Sequence, residues 1–168
     1  GEIARMQGDY DSARAHLGNS LELFRELGSR RGEAHALSGL ASAALWQGDH
    51  ETAQAWYEEA VPIRTALGDK RGLAVLREGM GLVGLCRDDW EAARESLEES
   101  LKLFSDISDS IGVTRAVTQL AVVAASDGDM VAARSRIHQA LQRIRDLGLG
   151  NEAPESIEVS AALAAASG

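Results

Sequence analysis

The chain has 168 residues, with 17 Lys and Arg against 26 Asp and Glu for a formal charge of −9, 45% hydrophobic residues and a single cysteine. No apolar run approaches the roughly 18 residues of a membrane span, the lone Cys rules out an internal disulfide, and the scattered basic residues offer no concentrated footprint for nucleic acid. These features point to a cytoplasmic protein of a reducing compartment that contacts neither a membrane nor nucleic acid directly.

Four tetrads, Gly8-Asp9-Tyr10-Asp11, Gly48-Asp49-His50-Glu51, Asp88-Asp89-Trp90-Glu91 and Gly128-Asp129-Met130-Val131, recur every 40 residues without insertion or deletion. After each come matched columns: Ala13, Ala53, Ala93 and Ala133; Leu17, Tyr57, Leu97 and Ile137; Ser20, Ala60, Ser100 and Ala140; Leu21, Val61, Leu101 and Leu141; Leu27, Leu67, Ile107 and Leu147. Steps of three, four and seven residues are helical spacing. A second set of columns, Leu40, Met80 and Leu120, then Ala41, Gly81, Ala121 and Ala161, then Ala44, Gly84, Ala124 and Ala164, belongs to a second helix in each unit. Only small residues fill the last two, as expected where helix backbones lie close together. The fold class is therefore all-α, a solenoid of tandem helical hairpins.

In chain order, Gly1 to Gln7 matches the end of a helix of the kind that carries the small columns, with Ala4 in the Ala44 column and Gln7 in the Gln47 column. Hairpin units start at about 8, 48, 88 and 128. Asp9, Asp49, Asp89 and Asp129 stand where a side-chain oxygen can cap the following helix, and the Gly before three of them supplies a left-handed turn. Asp88 replaces that Gly in one unit, because Asp tolerates the left-handed region. A second cap column, Ser29, Asp69 and Asp109, follows Gly28, Gly68 and Ser108. Helices are predicted over about 10–27, 30–47, 50–67, 70–87, 90–107, 110–127 and 130–147, with ends placed to about two to four residues. Pro154 to Ser167 matches the small-column helix again, so 154–168 reads as a terminal capping helix of a single array spanning 1–168. The missing half-units at either end mark the array as a piece of a larger protein. Their open ends are expected to favour self-association.

Gly79-Met80-Gly81-Leu82-Val83-Gly84 matches the dinucleotide-binding glycine pattern, but the register puts all three glycines inside a helix, where they serve close packing and no cofactor is expected. His16, His35, His50 and His138 fall in different columns and never reach metal-ligand spacing, and Cys86 has no base partner, so no metal site and no catalytic residue is expected. Tyr10, His50, Trp90 and Met130 share a packing column just after the cap. Glu91, Glu95, Glu98 and Glu99 read as a solvated outer face, with docking of a basic partner as the alternative.

The series Ala41, Gly48, Ala53, Tyr57, Ala60 and Val61, repeated as Ala121, Gly128, Ala133, Ile137, Ala140 and Leu141, resembles the tetratricopeptide repeat across nearly the whole chain. The unit departs from the common form of about 34 residues. The aromatic positions of its first helix hold Leu37 and Ala44, and no Pro closes the second. Longer units with Gly-Asp turns are similar to the arrays of large bacterial regulators: LuxR-type activators related to the maltose-regulon activator, and antibiotic-pathway regulators. The resemblance implies a non-enzymatic interaction arm whose concave groove is lined by the helices carrying the small columns.

By register, that groove takes His35, Ser38, Ser42, Leu45 and Trp46 from one unit, Val75, Glu78, Leu82, Leu85 and Cys86 from the next, and Arg115, Thr118, Val122, Ala125 and Ser126 from the third. The set is mostly apolar and suits an apolar peptide, a helix or another domain of the parent protein better than an acidic tail. The resulting expectation is a protein-interaction scaffold in a signalling or transcriptional regulator. A small-molecule sensor arm and a structural or self-association spacer are the alternatives.

Overall fold

The computed structural model describes residues 2–148, with side chains from residue 10 onward. Among them the chain forms seven helices: α1 (Glu2–Glu26), α2 (Arg30–Trp46), α3 (His50–Ala66), α4 (Lys70–Cys86), α5 (Trp90–Asp106), α6 (Ser110–Ser126) and α7 (Met130–Asp146). Helices α2 to α7 each start at the residue expected from the caps and end one residue before the predicted boundary. The expected helix over 154–168 lies outside the described residues.

The 40-residue period arises from one local device used at every turn. Each helix after α1 has 17 residues, and a three-residue link joins it to the next. At the α2–α3 link the Gly48 amide donates to the Leu45 carbonyl (3.0 Å) and the Asp49 amide to that of Ala44 (2.9 Å). These paired bonds close the Schellman motif, and they require a left-handed residue at the middle of the link. Gly48 (φ 80°) supplies it there, whereas Asp88 (φ 57°) and Ser108 (φ 56°) supply it at the cost of a crowded Cβ. The third link residue then caps the next helix: Asp49, Asp69, Asp89, Asp109 and Asp129 each accept the amide three positions on, at 2.8–3.2 Å.

Two expectations need correction. Ser29 occupies the cap position of α2 but its hydroxyl makes no capping bond. The Ser29 hydroxyl is not turned onto the Gly32 amide, and the link is held by the Ser29 amide donating to the Phe24 carbonyl at 2.8 Å, a bond shared with the other links. The first tetrad does not open a helix either, because α1 runs unbroken through Gly8 and Asp9. Among the described residues no separate helix precedes this tetrad for a link to pack against. Continuing the helix keeps its backbone bonded instead.

The helices pack as successive hairpins, α2 on α3, α4 on α5 and α6 on α7, with each outer helix also meeting the next inner one and α2 touching α4 directly. The even-numbered helices form one row and the odd-numbered a second. Between the rows runs an elongated core, with Leu37, Leu76, Leu97, Phe104 and Leu120 nearly inaccessible. Ala53, Ala93 and Ala133 are fully buried, and the small columns sit at the crossings as anticipated. A Cβ on Gly84 would lie 2.8 Å from the Ala93 backbone nitrogen, and one on Gly81 would lie 2.6 Å from Leu97 Cγ. Gly79 lies against the Tyr57 ring, which leaves no room for a side chain. The glycine pattern is thus absorbed by helix packing. None of the described helices is long and apolar enough to cross a membrane.

Candidate functional site

The even row presents two successive clefts built from repeat-equivalent residues, and they differ. The first, between α2 and α4, is an open cavity of about 370 Å³ lined by His35, Ser38, Gly39, Ser42, Arg64, Asp69, Arg71, Gly72 and Val75. Four predicted groove residues, His35, Ser38, Ser42 and Val75, meet there. The other five come with them: Gly39 from α2, Gly72 and Arg71 from the first turn of α4, Asp69 from its cap and Arg64 from the last turn of α3.

The floor of this cleft is hydroxyl-rich. Ser38 Oγ donates to the Ala34 carbonyl at 2.6 Å, Ser42 Oγ bonds the Ser38 carbonyl at 3.0 Å, and Ser42 Oγ lies 3.1 Å from the Tyr57 hydroxyl. Burial pushes the Tyr57 phenol above its ordinary value, the Glu78 charge adds to this, and the Ser42 bond acts in the other direction. Tyr57 therefore stays a neutral hydroxyl. Arg64 Nη1 donates to Asp69, while Arg64 Nε is buried without a partner. Burial acts to raise the Asp69 carboxyl, but the Gly72 amide and the Arg64 guanidinium outweigh it and hold that carboxyl below its ordinary value.

Forty residues on, the second cleft is filled by the protein itself. Glu78 stands where Ser38 does in the first, Arg115 where Val75 does, and Phe104 where Arg64 does. Arg115 Nε and Nη2 donate to the two Glu78 carboxylate oxygens at 2.8 and 2.6 Å, and Gln119 Nε2 adds a third bond at 3.2 Å. The guanidinium lies over the Phe104 ring, 5.7 Å from its centroid. Glu78 is only 7% exposed. Arg115 spans the cleft as a strap.

The remaining predicted groove residues divide by depth. Leu45 and Leu85 are half-buried against the core clusters of their own hairpins. Thr118 is buried and donates to the Thr114 carbonyl at 2.9 Å. Leu82, Val122 and Ala125 are half-buried, while Trp46, Cys86 and Ser126 are exposed at the last turns of their helices. Trp46 is 71% exposed. The groove is consequently more polar than its even-row residues suggested. Arg64, Asp69 and Arg71 were missed because they enter from the helix ends flanking the cleft. One signal was available, the column Phe24, Arg64 and Phe104, where a cation interrupts two rings. Among the described residues, no three His, Cys, Asp or Glu side chains are grouped to hold a metal ion.

A family profile for the tetratricopeptide repeat matches residues 1–66 and 32–106. No curated protein is similar enough to match the chain. Among solved structures, the crystal structure of BtubC (BKLC) from P. vanneervenii superposes with a TM-score of 0.74 at 17% identity, covering 98% of this chain and 77% of that one. A crystal structure of nearly identical TPR-like repeats, described as a kinesin light chain of Podosopora anserina, gives 0.68 at 17% identity, covering 99% and 93%. At these identities the two structures share the fold. With the family profile spanning more than half the sequence, the chain belongs to the tetratricopeptide repeat family.

Proposed function

We propose that this chain is a non-catalytic scaffold that binds a polypeptide along its even-helix row, as the interaction arm of a bacterial signalling or transcriptional regulator. Tetratricopeptide repeats generally serve protein–protein interaction. In this chain the observation that carries the reading is the open cavity of about 370 Å³ between α2 and α4, at the row where a bound segment would run. Val75 at its edge and Trp46 at the end of α2 are 43% and 71% exposed, which is the kind of amphipathic surface that anchors an extended or helical peptide. The regulator context is supported by the 40-residue unit with its Gly-Asp links, which resembles the arrays of such proteins.

The test is capture from the native cell extract, comparing the wild-type chain with a Leu82→Arg, Val122→Arg variant shown to be folded by circular dichroism. A protein held by the first and released by the second supports the reading. Equal retention by both, or none by either, counts against it. A small-molecule effector is the second reading, favoured by a cavity volume within the roughly 300–1,000 Å³ of ligand sites. It requires saturable thermal stabilisation by a low-molecular-weight fraction of the same extract.

A further inference from the structure

The two clefts are copies of one site, and the second shows what fills such a site. There an acid on the inner helix, Glu78, holds an arginine from the next hairpin, and the arginine is seated on an aromatic ring. In the first cleft the acid is replaced by Ser38, the arginine by Val75 and the ring by Arg64, so nothing spans the gap.

The groups lining that gap define its complement. The Ser38 hydroxyl proton is committed to the Ala34 carbonyl, which leaves its oxygen as an acceptor, while Ser42 bonds both the Ser38 carbonyl and the Tyr57 hydroxyl. The Asp69 carboxylate lines the same cavity. Donors are present as well: of the five N–H groups of a guanidinium, Arg64 spends one, on Asp69. Arg71, which among the described residues pairs with Asp109 at 3.4 Å, is 76% exposed. The Arg64 charge is already met by Asp69, so the cavity lacks a hydrogen-bonding group and not a counter-charge.

Four kinds of side chain can be compared. The arginine charges are met by Asp69 and Asp109, so neither a carboxylate, which brings acceptors alone, nor an ammonium, which brings donors alone, finds a free counter-charge. An apolar side chain would strip water from Arg64 and Asp69 with nothing in return. A primary amide brings one acceptor and two donors. Resting on the polypeptide-binding reading, we infer that the α2–α4 cleft seats one asparagine or glutamine side chain of the partner, and that the Glu78–Arg115 strap closes the α4–α6 cleft to a second.

The probes are blocked tripeptides, acetyl-Ala-X-Ala-N-methylamide with X glutamine, glutamate or leucine, so that only the glutamine side chain carries a primary amide, titrated into the isotopically labelled chain and followed by amide chemical shifts. The glutamine peptide is expected to shift Ser38, Gly39, Ser42 and Gly72 saturably and to bind at least about fivefold tighter than the other two. The variant Ser38→Glu, Arg64→Phe, Val75→Arg copies the second cleft into the first from residues the fold already accepts, and weakens this binding about tenfold or more. The reverse copy, Glu78→Ser, Phe104→Arg, Arg115→Val, verified as folded by circular dichroism, adds a second set of shifts at Gly79 and Gly112. Glutamate or leucine binding as tightly as glutamine, an undiminished response in the triple variant, or no shifts in the cleft would overturn the amide assignment. No second set in the reverse copy would overturn the strap. A partner still captured by the wild-type groove and lost from Leu82→Arg, Val122→Arg, yet unaffected by the triple variant, sinks this inference alone. Loss of the capture result itself sinks the underlying reading.

Discussion

Replacing Arg115 by Val, the residue at the equivalent Val75 position, should expose how the buried acid is held. Glu78 is 7% exposed and receives three hydrogen bonds, two of them from Arg115. Arg115→Val leaves it with the Gln119 bond at 3.2 Å and no counter-charge. Stranding a fully buried charge costs about 3–5 kcal/mol. The Arg115 side chain is 49% exposed, however, so water can enter where it leaves. We therefore expect a cost nearer 2–3 kcal/mol. With a urea slope of about 2 kcal/mol/M this lowers the midpoint by roughly 1 M. Glu78→Ser should cost less, about 1 kcal/mol, because the arginine it frees can hydrate. The double variant should fall well short of the sum, with a coupling of about 1–2 kcal/mol read from the cycle. Additive single-variant costs in urea denaturation would show that strap and acid are energetically independent, and the reasoning would fail.

Further outcomes concern the repeat itself. Gly84→Ala places a methyl 2.8 Å from the Ala93 nitrogen, and should destabilise by about 1–3 kcal/mol despite a helix-propensity gain of up to about 1 kcal/mol. Ala53→Leu, at a fully buried crossing, should cost a similar amount; unchanged thermal midpoints would show these columns are not close contacts. Asp88→Gly relieves a left-handed residue at φ 57° and should stabilise by about 0.5–1 kcal/mol, so a lower midpoint would contradict the strain account. Asp69 has a depressed folded pKa. Its contribution is present above the unfolded carboxyl value of about 3.9 and is lost as pH falls through the lower folded value. Asp69→Asn should accordingly show a shallower loss of stability between about pH 4 and pH 2 than the wild type, and parallel curves would refute the assignment.

The helices and links could be read from the sequence because each is fixed locally. A left-handed residue followed by a capping Asp sets every link from Gly48-Asp49 to Gly128-Asp129, and the small residues at 41, 44, 81, 84, 121 and 124 mark the crossings. The same Gly-Asp signal misled at Gly8-Asp9, where helix continues. A turn signal acts only when both flanking helices gain packing from it. The cleft was half legible. Residues on the inner face of α2 and α4 follow the helical period, but Arg64 and Asp69 reach the cavity from a helix end and a link. The pairing of Glu78 with Arg115 joins residues 37 positions apart, and no periodicity distinguishes such a strap from two open groove residues. Comparing one repeat with the next recovers part of it, since Ser38 against Glu78 and Val75 against Arg115 already mark the two clefts as unlike.

Polypeptide binding at the α2–α4 cleft places a partner beside Val75. It is tested most directly by site-specific photo-crosslinking in the native extract, with the photoreactive residue placed at Val75 on the cleft or at Glu95 on the outer face of α5. A discrete protein adduct is expected from position 75, suppressed by the Ser38→Glu, Arg64→Phe change, and only background from position 95. Adducts at 95 and none at 75 would move the binding surface to the acidic outer face and rule out the cleft.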